Sequence, residues 1–116
     1  MTITILKLIN SIEPINTLTA TKLPIKLTVA LKKIMDEIDV PTREFFKRRN
    51  YLLEKYTDKE TNTIQKDKIE EVNTEVKTMI DEEVELNITP IKLETLEAAG
   101  VELSVAEYTA LEFILE

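Results

Sequence analysis

The sequence contains no cysteine, no histidine and no tryptophan, and it has a single glycine among 116 residues. Without cysteine the chain has no disulfide, no thiolate metal ligand and no cysteine nucleophile. Without histidine it lacks the commonest general base and the commonest metal ligand. A glycine-rich phosphate loop requires several glycines, so that motif is excluded as well. These absences exclude most hydrolytic and redox designs, and we expect neither an enzyme nor a cofactor.

Long apolar runs are also missing. No stretch approaches the roughly 18 consecutive apolar residues that a membrane-spanning helix needs. The first 14 residues contain neither a basic leader nor a small-residue cleavage site. We therefore expect a cytoplasmic protein that does not enter a membrane.

Basic charge is in deficit, with 15 lysines and arginines against 22 acids and a net charge of −7. This balance opposes general binding to nucleic acid and docking on anionic membranes, because both require a basic surface. With 43% hydrophobic residues the chain can still bury a modest core. Its length predicts one domain, covering residues 1–116.

The segment 23–56 carries the longest pattern in the chain. Its apolar residues recur at steps of three, four or seven, which predicts one stripe along a long helix. Pro41 either ends this helix and starts a second one or kinks a continuous helix. Ile38 and Phe45 keep the stripe in phase across Pro41, which favours the kinked, continuous form. The stripe consists of Leu27, Leu31, Ile34, Ile38, Phe45, Leu52 and Tyr56.

A second amphipathic helix follows the first after the short polar stretch 57–63. Ile69, Val72, Val76 and Ile80 form one apolar stripe and predict a helix over about 66–83. Because the connection is short, the two helices should pack antiparallel as a coiled-coil-like hairpin.

The ends of the chain show shorter patterns. Residues 2–6 and 84–88 alternate between apolar and polar, which predicts two strands that pair as a small sheet. A short helix should run from Leu6 to Leu18, kinked or divided by Pro14. The fold class expected is therefore mainly α, within the α+β class.

Two capping signals divide the C-terminal region. Gly100 should end a short helix over 94–99 as a left-handed cap. Ser104 and Glu107 form a capping box that should start the final helix, from Val105 to about Leu115.

Carboxylates are the first candidates for chemistry. Asp81, Glu82, Glu83 and Glu85 are close in sequence, and Glu71 shares a helix face with Glu75. Adjacent carboxylates at a helix end usually diverge into water, and no calcium-loop spacing is present. We expect no catalytic residues and no metal site.

A basic island, defined as Lys47, Arg48, Arg49, Lys55 and Tyr56, is the sharper candidate site. Arginine beside an aromatic ring can hold a phosphate or a nucleobase by bidentate bonding and stacking. The alternative is that Arg49 pairs with Glu71 or Glu75 of the facing helix while Tyr56 closes the apolar stripe. We favour this structural alternative.

The order of several short motifs resembles that of small proteins of unknown function encoded by phages and prophages of Gram-positive bacteria. The resemblance covers most of the chain, although Pro41 and Thr57 depart from the pattern. It implies a phage setting and no particular activity. The motifs are Leu23-Pro24-x-Lys26, Arg49-Asn50-x-Leu52-x-x-Lys55-Tyr56, Glu83-Val84-Glu85-Leu86, Ile91-Lys92-Leu93, and Leu103-Ser104 with Leu111.

Three functions are consistent with these observations. The first, which we favour, is stoichiometric binding of a host or phage protein. The acidic surface of this chain would cover a basic site of that protein by electrostatic complementarity, as an inhibitor of host defence or regulation would do. The second is a structural or assembly protein that works as a homo-oligomer. The third is binding of a small anionic nucleotide by the basic island.

Overall fold

A computed structural model describes all residues from Met1 to Glu116. The molecule measures 54 × 27 × 24 Å, and one long helix sets its length. The strands are β1 (Thr2–Thr4), β2 (Thr57–Asp58), β3 (Thr63–Ile64) and β4 (Glu83–Glu85). The helices are α1 (Ile5–Thr19), α2 (Ile25–Tyr56), α3 (Ile69–Ile80), α4 (Leu93–Ala98) and α5 (Val105–Leu111), with 3-10 turns at Lys66–Lys68 and Glu112–Ile114. The expected mainly α fold with a small sheet is confirmed.

Helix α2 spans 32 residues and runs through Pro41 without a break. The expectation of a continuous helix is therefore confirmed over the alternative of an end and a restart. Pro41 cannot donate a backbone hydrogen bond, and the next residue adds one from its side chain, since Thr42 Oγ1 donates to the Ile38 carbonyl at 2.8 Å. Pro24 is the residue immediately before the first turn of α2.

Helices α2 and α3 form the predicted antiparallel hairpin. Arg48 of α2 meets Glu82, while Glu37, earlier in α2, accepts a hydrogen bond from the later residue Asn87. The tip predicted as a polar loop contains a short ladder, in which Thr57 pairs with Ile64 and Asp58 with Thr63. Asn62 turns this ladder with a positive φ of 56°, a conformation that asparagine tolerates better than most residues.

The small sheet pairs residues 2–4 with residues 83–85. Thr2 lies opposite Glu85 and Ile3 opposite Val84 in an antiparallel pair. Strand β1 is shorter than predicted, because Thr4 caps α1 through its Oγ1, which accepts from Lys7 N, so the helix starts at Ile5. Strand β4 covers Glu83–Glu85 and not the predicted residues 84–88. Helix α1 then continues through Pro14 undivided.

Both C-terminal capping predictions are confirmed. Gly100 has φ +75°, with Val101 N donating to Leu96 O and Gly100 N to Glu97 O, the paired bonds of a Schellman cap. Ser104 and Glu107 make the reciprocal bonds of a capping box at 3.1 and 3.0 Å. Helix α5 is shorter than predicted, because the chain tightens into a 3-10 turn and Leu115 then forms a bridge with Ile91.

The core is one cluster of 18 buried hydrophobic residues. Helix α1 lies between α2 and α5, so its apolar residues face both neighbours. The six aliphatic and Phe positions of the predicted α2 stripe are all buried, and Tyr56 is half-buried at its end. Ser11, the one buried polar residue, donates to the Leu8 carbonyl at 2.6 Å and thereby satisfies its hydroxyl. None of the helices is both long enough and apolar enough to cross a membrane.

The buried stripe leads to a stability prediction with a control two residues away. Ile38 is 5% exposed and Val40 is 52% exposed on the same helix. The substitution Ile38→Asp should lower the free energy of unfolding by about 3 kcal/mol or more, because it buries an unpaired carboxylate. The substitution Val40→Asp should change it by about 0.5 kcal/mol or less. Thermal and urea unfolding followed by circular dichroism measures both values, and equal effects would contradict this description of the core.

Candidate binding surfaces

The structure divides the basic island between two sides of α2. Lys47, Arg48 and Lys55 border the groove between α2 and α3, whose floor includes Leu52 and Met79. Arg49 lies on another side of the helix, against Phe46. The five residues of the island therefore do not converge on one ligand-sized site.

Arg48 is committed to an ion pair that sequence analysis did not anticipate. Its two terminal nitrogens donate to the two carboxylate oxygens of Glu82 at 2.8 and 2.9 Å. These hydrogen bonds lower the pKa of the Glu82 carboxyl below its ordinary value and raise the pKa of the Arg48 guanidinium. Both side chains remain about half exposed to solvent, so the pair contributes little stability. It links α2 to the turn between α3 and β4.

Arg49 does not pair with Glu71 or Glu75, so that expectation was wrong. Its guanidinium carbon lies 4.9 Å from the centre of the Phe46 ring, and Phe46 in turn packs edge-on against Phe45. Its Nε atom is buried and makes no hydrogen bond with the protein. The sequence position explains this difference, because Arg49 continues the inward stripe of α2 and stacks on an aromatic ring there.

The remaining island residues stay near solvent. The Lys55 amine lies 5.3 Å from the centre of the Tyr56 ring, and Tyr56 is half-buried against the core. Lys47 forms no ion pair. The exposed ring of Tyr51 lies beside both lysines at the mouth of the groove.

The acidic residues singled out in the sequence also diverge. Glu82 pairs with Arg48, whereas Glu85 binds the N-terminal amine at 3.0 Å and the Thr2 hydroxyl at 2.8 Å. The amine and the hydroxyl lower the pKa of the Glu85 carboxyl. No group of three acidic side chains is arranged to hold a metal ion.

A different acidic surface emerges at the C-terminal end of the chain. Residues 93–116 contain six glutamates and no lysine or arginine, and none of the six forms an ion pair. Lys7 of α1 shares a shallow pocket with Glu112 but does not form an ion pair with it. The glutamates are Glu94, Glu97, Glu102, Glu107, Glu112 and Glu116.

Two apolar side chains project from the middle of this acidic segment. Val105 is 84% exposed and Tyr108 is 39% exposed, and they lie one turn apart on the outer side of α5. In the sequence Glu102 precedes them and Glu112 follows them, and both glutamates are exposed. We call these four residues the acidic face. The sequence does not indicate this face, because Tyr108 lies three residues before Leu111 and therefore falls on the same helical stripe as that apolar residue.

The outer side of α2 carries a second set of exposed apolar residues. Ile25 is 82% and Tyr51 is 71% exposed, with Val29 and Val40 between them on the side opposite the buried stripe. Lysines, arginines and aspartates separate these residues, so they do not form a continuous patch. We call this set the outer face of α2.

Comparison with known proteins gave no relative: no family model, no curated protein and no solved structure matches this chain.

The Arg48–Glu82 pair generates a prediction about pH. In a double-mutant cycle of Arg48→Met and Glu82→Gln, the coupling between the two side chains should be about 0.5 kcal/mol near neutral pH. Because folding lowers the pKa of Glu82, this coupling is present above its ordinary pKa of 4.5 and is lost as the pH falls through the lower folded value. Urea unfolding at several pH values measures it. A coupling that grew on acidification would contradict the assignment.

The contacts of Arg48 and Arg49 predict that the basic island is not required for folding. Arg48→Ala together with Arg49→Ala removes one half-exposed ion pair and one stacking contact, each worth about 1 kcal/mol or less. We expect the double variant to keep its helicity and to melt cooperatively, as measured by circular dichroism. Loss of the folded state would show that these arginines are core elements.

Proposed function

We propose that this protein acts without catalysis, by binding one basic protein partner in a fixed ratio through the acidic face. The observation that carries this proposal is the combination of six glutamates without ion pairs in residues 93–116 with an 84% exposed valine in the same segment. Tyrosine and apolar anchors are what protein interfaces bury, so an exposed valine one turn from a tyrosine offers an anchor to a partner.

Charge selects the kind of partner. A segment without any basic residue repels other acidic surfaces and attracts basic ones, which speeds encounter and fixes orientation. Val105 and Tyr108 would then supply the buried centre of the interface, surrounded by charge pairs at its rim. A basic site that normally contacts nucleic acid is a surface of this kind. Its coverage would inhibit the partner.

The setting of this proposal is a phage or prophage protein in the cytoplasm of a Gram-positive host. It derives from the order of motifs described above, including Leu23-Pro24-x-Lys26 and the Arg49 to Tyr56 run. An accessory protein that occupies a host defence or regulatory protein needs a surface and no active site. The absence of histidine and cysteine is compatible with such a role.

The test is affinity capture with a charge-matched control. Tagged protein is incubated with host lysate at moderate salt, and the eluate is analysed by mass spectrometry and native mass. The variant Glu102→Lys with Glu112→Lys should lose the captured protein, as should Val105→Asp. The control Glu54→Lys with Glu60→Lys changes the net charge equally at the other end of the molecule and should retain it.

We expect capture of one basic protein in fixed ratio, at least tenfold weaker for the acidic-face variants, and weaker at high salt because the attraction is screened. Equal capture by all variants would overturn the assignment to the acidic face. No stoichiometric partner at all would overturn the proposed function.

A second candidate function, self-assembly as a structural protein, is favoured by the outer face of α2. Its exposed apolar residues follow one side of a helix about 48 Å long, which could pair with a second copy. Native mass across a range of concentrations would then show a defined oligomer, and Ile25→Glu with Tyr51→Glu would dissociate it. A monomer at all concentrations would exclude this candidate.

A further inference from the structure

A cleft with three lysines lies between the first half of α2 and the extended segment 87–92. Its volume is about 470 Å³, which is within the range of roughly 300–1,000 Å³ that small-molecule sites occupy. Lys26 and Lys33 come from α2, and Lys92 comes from the opposite wall. We call it the lysine cleft. It is separate from both the basic island and the acidic face.

The charge of this cleft is opposite to that of the protein. No carboxylate lines it, although acids outnumber bases by 22 to 15 in the chain. None of its three lysines forms an ion pair, whereas Lys32, next in sequence to Lys33, pairs with Asp36 on the outer side of the helix. Three free ammonium groups around one depression create a local positive potential that favours an anion.

The spacing of the lysines leaves room for a ligand between them. Lys26 and Lys33 are seven residues apart, which is two helical turns or about 10 Å along the axis. Ala30 lies between them, and its small side chain forms the depression. Lys92 faces this depression from the other wall, so an anionic group bound there can be reached from two sides.

The floor of the cleft is apolar. Leu27, Ile34 and Ile91 form its base and are buried in the core, and Ile88 is half-buried beside them. Thr89 and Thr95 also line the cleft. Such a floor accepts a hydrocarbon or aromatic body, and the threonine side chains offer hydrogen bonds that would orient it.

The wall formed by segment 87–92 is fixed at both ends. Asn87 N donates to Glu37 Oε1 at 3.0 Å, and this bond also occupies the nearest carboxylate of α2. At the other end Ile91 N donates to Ile114 O at 2.8 Å, and Glu116 N donates to Ile91 O at 2.9 Å. Between these anchors the amides of Ile88 and Thr89 donate to no protein atom. The cleft is thus pre-formed, which reduces the entropic cost of binding.

We propose that the lysine cleft binds a small organic anion, with a carboxylate or phosphate group held by Lys26, Lys33 and Lys92 and an apolar body placed on the Leu27 and Ile34 floor. Lysine suits this role because it holds an oxyanion as a point charge without demanding one fixed geometry. This site goes beyond the proposed protein binding, and it does not depend on it.

The first experiment uses a pair of fluorescent probes that differ only in charge. 1-Anilinonaphthalene-8-sulfonate carries an oxyanion, and N-phenyl-1-naphthylamine is the same ring system without it. The variant Lys26→Gln, Lys33→Gln, Lys92→Gln should bind the sulfonate about tenfold more weakly than the wild type, because three attractive charges are lost. Its affinity for the neutral probe should change less than twofold.

The control variant Lys59→Gln, Lys66→Gln, Lys77→Gln alters the net charge by the same amount away from the cleft and should bind both probes as the wild type does. Equal weakening of the sulfonate by both triple variants would overturn the proposal, because the effect would then be one of net charge. Equal affinity of the wild type for the two probes would also overturn it.

A second variant tests the apolar floor without altering charge. Ala30→Phe should fill the depression and weaken both probes at least tenfold, while circular dichroism shows the helix content unchanged. Unaltered binding by this variant would overturn the location of the site. Competition of dodecanoate and dodecyl phosphate against the sulfonate then distinguishes a carboxylate from a phosphate ligand, and displacement by neither would overturn the assigned class.

Discussion

The burial of one apolar stripe along a 32-residue helix is the constraint on which this structure depends. An isolated helix has little stability in water, so α2 persists only because other elements cover its inner side. Helix α1 covers the first half together with segment 86–91, and α3 covers the second half. The molecule is consequently as long as α2 and only two or three elements thick.

This arrangement separates charge along the chain. Helix α2 contains eight of the 15 lysines and arginines, and residues 69–116 contain 13 of the 22 acids. Only one ion pair, Arg48–Glu82, joins α2 to the segment that follows α3. Because few acidic side chains form ion pairs with basic ones, most charged groups remain available on the surface. A protein whose acids and bases were paired internally would offer neither an acidic face nor a lysine cleft.

Much of the fold follows from local signals in the sequence. The period of the α2 stripe, the Ser104 and Glu107 capping box, and the lone Gly100 each act over less than two helical turns, so each could be predicted without knowledge of the partner elements. The continuity of α2 through Pro41 was also predictable, because the stripe keeps its phase there. The end of strand β1 was predicted less accurately, because capping of α1 by Thr4 competes with extension of the strand.

The surfaces were much less predictable, because they arise where distant segments meet. The lysine cleft joins residues near position 30 to residues near position 90, and no sequence spacing relates the two. The choice of Arg48 over Arg49 as the ion-pairing residue depends on which side of α2 faces α3. A helix rotated by one residue, or about 100°, would have reversed their roles. Tyr108 shares a helical stripe with the buried Leu111, so only the orientation of α5 in the fold shows that its ring is exposed.

Pre-organisation distinguishes the lysine cleft from the acidic face as binding surfaces. The cleft is bounded by a helix and by a segment anchored at Asn87 and at Ile91, so its walls are set before any ligand arrives. The acidic face includes Val105 and Tyr108 of a seven-residue helix, and their exposed side chains must be ordered by a partner. A small ligand cannot compensate for extensive ordering, whereas a protein interface with a buried aromatic anchor can. The rigid surface is thus suited to a small anion, and the exposed helix to a macromolecule.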